Sequence, residues 1–235
     1  MTLVLAHRGA NREAPENTLA AFARAVELGA DGVELDVHRT ADDQLVVVHD
    51  AVGPWGLVSM RTAKEMREHA PDVPTLADAL DVCSGRLVNV EIKNLPDTAG
   101  HDPTDRVSEL VVELLAARGR VDHALVSSFW LESIDHVHRL APDLPTGFLA
   151  FVGDPHELVG LAAGRGHAAV HPGIHMMAGR SAAEIVDVAH RVGVQLNVWT
   201  VNEPGDIARL IDVGVDAVIS DVPDVALAVR RERRG

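Results

Sequence analysis

Short apolar runs alternate with stretches whose apolar residues recur at helical spacing along almost the whole chain. The runs at residues 3–7, 33–37, 87–92, 124–128, 146–151, 168–171, 195–200 and 217–220 are rich in Val, Leu and Ile, as strands buried on both faces should be. Between them lie helical patterns. Residues 18–28 put Leu19, Phe22, Ala23 and Val26 on one face, and Gly29 ends that helix. Asn202 is positioned to cap a later helix that carries Ile207, Leu210 and Ile211 and stops at Gly214. Gly29-Ala30-Asp31-Gly32-Val33 and Gly214-Val215-Asp216-Ala217-Val218 read as a weak internal repeat, each a glycine stop and an Asp turn leading into a strand.

Eight strands separated by helices predict an α/β chain forming a (β/α)8 TIM barrel, one domain over residues 1–235. An open doubly wound sheet would carry G-x-G-x-x-G after its first strand, where this chain has His7-Arg8-Gly9-Ala10-Asn11. One further apolar run, 45–49, follows the second strand after only Thr40-Ala41-Asp42-Asp43. A parallel crossover needs about a dozen residues, so this run returns antiparallel as a short β-hairpin extension. Pairing Arg39 with Gln44 sets Val37 opposite Val46 and Glu34 opposite His49.

Active sites of such barrels gather at the C-terminal strand ends. Those ends carry His7 and Arg8, Glu34 and Asp36, Glu91 and Lys93, Ser127-Ser128-Phe129, His171, Trp199 and Asp221. Glu34 and Asp36 are two residues apart on one strand and share a face, as do Glu91 and Lys93. Leu35, Val37, Val90 and Ile92 point the other way, toward packing. Converging carboxylates call for a counter-charge, either a hard divalent cation or a salt-bridge network with Arg8 and Lys93; spacing alone does not choose between them. His7 and His49 stand beside this cluster and could carry protons near neutral pH. Most of the other histidines among the 13, including His101, His136, His138 and His190, are expected to face water.

Composition narrows the classes. The net charge of −14 argues against nucleic acid as a partner but leaves room for a small phosphorylated substrate. No run of about 18 apolar residues reads as a membrane span, and the N-terminal segment does not read as a signal peptide. The single Cys83 cannot form an internal disulfide and is expected to be buried, which fits a cytoplasmic location. The basic stretch Arg230-Arg231-Glu232-Arg233-Arg234 reads as a solvated tail.

The ordered segments His7-Arg8-Gly9, Pro15-Glu16-Asn17-Thr18, Gly29 through Val37, Thr40, Val46-Val47-Val48-His49-Asp50, Pro74-Thr75-Leu76, Val90-Glu91-Ile92-Lys93, Ser127-Ser128-Phe129, Val198 through Asn202, Gly214-Val215-Asp216 and Ser220-Asp221 resemble the glycerophosphodiester phosphodiesterases across nearly the whole chain. The resemblance implies a (β/α)8 enzyme that hydrolyses small glycerophosphodiesters to glycerol 3-phosphate and an alcohol. It implies His7 and His49 as the acid/base pair and Glu34, Asp36 and Glu91 as ligands of one divalent cation, Mg2+ or Ca2+. It further implies Arg8 and Lys93 as phosphate contacts, Glu16 and Asn17 as supporting polar residues, and Trp199 as an aromatic wall. His171 matches no motif. Where the family has a longer insert after its His-Asp, this chain has only Ala51-Val52-Gly53-Pro54-Trp55-Gly56-Leu57-Val58, and Asp43 replaces the common turn glycine. A lysophospholipase D-like variant of the same site would need a wide apolar groove, for which Trp55, Phe151, Met176 and Met177 are the candidates. A non-catalytic phosphate-binding barrel would have no use for two proton carriers.

Overall fold

The computed structural model describes residues 1–178 and 181–233. Its strands are β1 (Leu3–His7), β2 (Gly32–Arg39), β3 (Leu45–Val47), β4 (Val52–Gly53), β5 (Gly56–Leu57), β6 (Leu87–Ile92), β7 (Ala124–Ser128), β8 (Thr146–Ala150), β9 (Ala169–Pro172), β10 (Gln195–Val198) and β11 (Ala217–Ser220). Its helices are α1 (Leu19–Leu28), α2 (Ala63–His69), α3 (Leu76–Val82), α4 (Arg106–Ala117), α5 (Leu131–Leu140), α6 (Pro155–Arg165), α7 (Ser181–Arg191), α8 (Pro204–Val213) and α9 (Pro223–Glu232). Eight strands run parallel in the order β1-β2-β6-β7-β8-β9-β10-β11, and β11 pairs back to β1, closing a TIM barrel. β3 lies outside the ring, antiparallel to β2.

Strand alternation sorts the side chains. Leu35, Val37, Val88, Val90 and Ile92 pack outward against helices in one cluster, and Val170, Leu196, Val198 and Val218 do so in a second. Inside the ring the apolar content is small: Leu5, Ala217 and Ile219 with partly buried Leu3, Leu87 and Trp199. Buried Asn89, Ser127, His171 and Asn197 supply the polar remainder of the interior. The two repeated turns do the same work. Gly29 and Gly214 stop α1 and α8 at φ of 87° and 84°, a region open to glycine at no steric cost. Asp31 then accepts the Val4 amide at 2.7 Å, and Asp216 accepts the Leu196 amide at 2.8 Å, each tying its turn to a neighbouring strand.

Several expectations need correction. The hairpin register is shifted by one residue: Arg39 faces Leu45, His38 faces Val46 and Val37 faces Val47. The turn takes five residues because Thr40 closes it on Gln44, with backbone and hydroxyl contacts of 2.9 Å, while Asp43 adopts a φ of 56°. The buried face of α1 is Ala21, Phe22 and Ala25, whereas Leu19 is exposed. Glu203, not Asn202, precedes α8 as its cap residue; Asn202 is engaged with Asp221 instead. The basic end of the chain is not a free tail. It forms the last turns of α9, where buried Arg230 pairs with Asp31 and donates to the Thr2 carbonyl at 3.0 Å. Arg234 lies outside the described residues. Among the histidines expected in water, His136 is half-buried against Asp105 and His101 stacks edge-on to Trp130, while His190 is exposed. Cys83 is buried, and that burial pushes its thiol up to about 12.

Candidate active site

The tripeptide after β1 turns sharply. Arg8 and Gly9 both have positive φ, 54° and 80°. A side chain at Gly9 would bring its Cβ to 2.7 Å from the Ala21 backbone, so only glycine allows α1 to pack this close. This turn aims the Arg8 amide at Glu34 Oε2, at 3.0 Å, and sends the guanidinium toward Asp36 and Glu16, at 3.1 Å from each.

His7, Arg8, Glu34, His49, Asn89, Glu91 and Lys93 line a cavity of about 200 Å³ at the C-terminal ends of the strands. Despite the register shift, His49 still reaches this mouth. The Val48 amide bonds the Asp36 carbonyl at 3.0 Å, and His38 donates to the His49 carbonyl at 3.1 Å, holding the end of the hairpin in place. His49 Nδ1 lies 2.7 Å from Asp50.

Glu34, Asp36 and Glu91 each offer an oxygen, and these oxygens lie within 4.8 Å of one another. All three residues are buried. Lys93 bridges two of them, at 3.0 Å from Asp36 and 2.5 Å from Glu91. Burial opposes the Lys93 charge, but these carboxylates outweigh it and hold the ammonium above its usual range. Burial also works against the Asp36 carboxylate, yet Lys93 and Arg8 keep it below the usual value. Asn17, buried at a φ of 56°, donates to Asp36 Oδ2 at 2.8 Å. Glu34 has no such cation against it. Burial, then the neighbouring Asp36 charge, pushes it up to about 8. Its Oε1 is buried without a protein partner.

His7 Nδ1 sits 2.6 Å from Asp221 Oδ1, while His7 Nε2 lies 3.9 Å from Glu34. Asp221 is itself anchored by Asn11 at 2.6 Å and Asn202 at 2.7 Å. Burial lowers the His7 pKa, but the Asp221 hydrogen bond and the Glu34 charge reverse this, leaving it raised. The same contact helps hold Asp221 well below the usual carboxylate range against the effect of its own burial. Sequence reasoning noted Asp221 as a strand end but gave it no role, and it passed over Asn11 and His38. Barrel closure was the available signal: pairing the last strand with the first puts Ser220 opposite Ala6, and hence Asp221 next to His7.

The remaining candidates separate. Trp199 lines the cavity, together with Phe129, Leu149 and Ile219. Glu16 and Asn17 do not line it; they contact Arg8 and Asp36. Ser128 is tied to the Ile92 carbonyl, a structural contact. His171 points into the barrel interior, where Asn197 donates to its Nε2 at 3.0 Å, and burial pushes its pKa down to about 3. The apolar groove does not form as expected, because Trp55 is buried beneath the hairpin with Val46, Val58 and Met66, and Met177 is fully buried against α7 and α8 residues. Only Phe151 of that set stands exposed near the mouth.

Comparison with known proteins follows the same lines. Residues 7–225 match the profile of the Glycerophosphoryl diester phosphodiesterase family. A glycerophosphodiester phosphodiesterase of Caldanaerobacter subterraneus subsp. tengcongensis is 32% identical over 252 aligned positions, covering 98% of each chain. Among solved structures, a glycerophosphodiester phosphodiesterase from Parabacteroides distasonis is 26% identical with a TM-score of 0.86, covering 100% of this chain and 98% of that one. One from Thermotoga maritima is 27% identical with a TM-score of 0.82, covering 98% of each.

Proposed function

Since the chain belongs to the glycerophosphoryl diester phosphodiesterase family and is therefore a phosphoric diester hydrolase, we propose that it cleaves small glycerophosphodiesters to glycerol 3-phosphate and an alcohol in a cation-dependent reaction. The observation that carries this reading is the junction of a carboxylate trio with two histidines at one barrel mouth.

The trio suits a divalent cation. Its donors are all oxygen, which hard Mg2+ or Ca2+ prefers. Arg8 and Lys93 already neutralise Asp36 and Glu91, which leaves the buried Glu34 with an orphaned Oε1 and a strongly raised pKa. Glu34, Asp36 and Glu91 would hold the ion, and when bound it supplies positive charge against the phosphate oxygens. Arg8 and Lys93 add fixed positive charge beside the same cavity and orient the diester. Asp221 keeps His7 in the Nδ1–H tautomer, so Nε2 is free to take or give a proton on the cavity side. His49 serves as the second proton carrier. One histidine removes a proton from the glycerol 2-hydroxyl or from water as that oxygen attacks phosphorus, and the other protonates the departing alcohol; the hydroxyl route gives a cyclic phosphate, which water then opens to glycerol 3-phosphate. Trp199 forms a wall for the substrate. Glu16 and Asn17 act by holding Arg8 and Asp36 in position.

The whole chain, 1–235, works in this reading as one catalytic domain. No described helix is long and apolar enough to cross a membrane; action in the cytoplasm on a dissolved substrate belongs to the same proposal.

The test is substitution of the two histidines. His7→Ala and His49→Ala, assayed by release of glycerol 3-phosphate in the presence of Mg2+ or Ca2+, should each lose about 10²–10⁴-fold in turnover. Near-normal activity in either variant contradicts that residue's role.

A further inference from the structure

A second cavity, of about 190 Å³, lies inside the barrel toward the N-terminal ends of the strands. The interior of such a barrel is normally filled by layers of bulky side chains. Here two inward positions are Gly147 and Ala217, and a Cβ at Gly147 would stand 2.5 Å from His171 Nε2. Leu3, Leu5, Leu87 and Leu125 give the cavity an apolar wall. Exposed Met1 and Gln195 form its rim, so it opens on the face opposite the mouth. Asn89 lines this cavity and the mouth cavity alike, and so marks the boundary between them.

Asn89 Oδ1, Asn89 Nδ2 and His171 Nδ1 are buried with no hydrogen-bond partner among the described residues. Asn89 is 1% exposed and His171 is fully buried. Polar groups left unpaired in such a setting are costly, which points to a ligand that pairs with them. Asn197 donates to His171 Nε2 at 3.0 Å, so the neutral ring carries its hydrogen on Nδ1. The cavity therefore offers the Asn89 amide and the His171 Nδ1–H as donors, and Asn89 Oδ1 as an acceptor. Among the described residues no cationic side chain lines it, and its one carboxylate is Asp216. Asp216 is already committed to the Leu196 amide at 2.8 Å and to His190 at 3.0 Å. An ion of either sign would lose its hydration here without a free counter-charge. A hydroxyl suits the site, because it both donates and accepts, and a short carbon body suits the leucines. The volume is several times the roughly 30 Å³ share of one water and below the roughly 300 Å³ at which drug-sized pockets begin, which calls for a ligand of few non-hydrogen atoms.

We propose that the barrel interior is a second ligand site, taking a short neutral polyol whose hydroxyls pair with Asn89 and His171 and whose carbons lie on the leucine wall. The site uses neither the histidine pair nor the carboxylate trio of the mouth, so it stands independently of the phosphodiesterase reading.

The test is an NMR titration of the full chain, with Mg2+ present, using butane-1,4-diol as the neutral probe and butyrate and butylammonium as its charged counterparts. The side-chain amides of Asn89 and Asn197 and the ring of His171 report on the interior, and the Trp199 indole and the His49 ring report on the mouth. Saturable shifts at the interior groups are expected with the diol, half-complete on the order of 1–10 mM, and at least about tenfold weaker binding with either ion. Ala217→Leu, which fills the cavity from β11, should abolish the diol shifts. Should that variant fail to fold, the three probes on the wild-type chain decide alone. No saturation by about 100 mM diol means that the interior takes solvent only, and overturns the proposal. Equal binding of either ion overturns the neutral class. Shifts centred on Trp199 and His49 assign the probe to the mouth and overturn it too, as does undiminished binding in folded Ala217→Leu.

Discussion

His7 and Asp221 are 214 residues apart in sequence, and their side chains meet at 2.6 Å where the last strand of the barrel closes on the first. The carboxylate fixes the imidazole by its Nδ1 and leaves Nε2 near Glu34. In the proposed reaction Asp221 is a positioning residue, acting through His7.

Asp221→Asn is nearly isosteric and should keep the fold: its amide oxygen can still accept from one of Asn11 and Asn202, which both donate to the carboxylate, while its NH2 faces the other. It should lower kcat on the order of 10²-fold, because the imidazole loses its fixed tautomer. The Asp221 contact raises the His7 pKa, so its removal shifts the His7-dependent limb of the pH–rate profile to lower pH. A profile that drops in height without moving contradicts the electrostatic part of this role.

Glu34 links the cation to pH. Burial and the neighbouring Asp36 charge push its carboxyl from the usual carboxylate range up to about 8, so at pH 7 most of the cation-free protein holds it protonated. A raised carboxyl pKa means that the native state binds more protons than the unfolded chain between these values. Cation-free stability therefore falls as pH rises through that window. A bound cation displaces the proton. Titration of Mg2+ or Ca2+ at pH 7 in buffers of different ionisation enthalpy should reveal release of about one proton, with affinity rising toward pH 8 and flattening above it. Binding without proton release contradicts the assignment of Glu34 as a ligand.

Arg230 pins the last helix to the start of the barrel through Asp31 and the Thr2 carbonyl. Arg230→Ala leaves Asp31 and that carbonyl short of a donor in a largely buried setting. It should cost about 1–3 kcal/mol in denaturant unfolding with little change in kcat. A midpoint equal to wild type shows the pair to be energetically silent.

Local pattern carried much of the architecture. Strands 3–7, 87–92, 124–128 and 217–220 were legible to the residue, because a buried parallel strand must be continuously apolar on its outer face. The shared face of Glu34 and Asp36 followed from strand alternation, which depends only on backbone geometry. What escaped depended on the third dimension. The hairpin register turned on whether Thr40 would close a four- or five-residue turn, a local hydrogen-bond choice. Leu19 looked like a core residue because its helical spacing fits, but packing of Gly9 against Ala21 rotates the buried face of α1 away from it. Arg230 read as a tail charge because its partner, Asp31, is 199 residues away. Trp55 read as a possible groove residue because sequence cannot say that the short loop folds under the hairpin.

Cation dependence at the Glu34, Asp36 and Glu91 cluster is the claim on which the rest of the mechanism stands. Its most direct test is turnover of a glycerophosphodiester by chelator-stripped protein, followed as glycerol 3-phosphate release before and after Mg2+ or Ca2+ is restored. The account predicts negligible release from the stripped protein and recovery with the cation, and no recovery in Glu34→Gln. Undiminished turnover in chelator contradicts it.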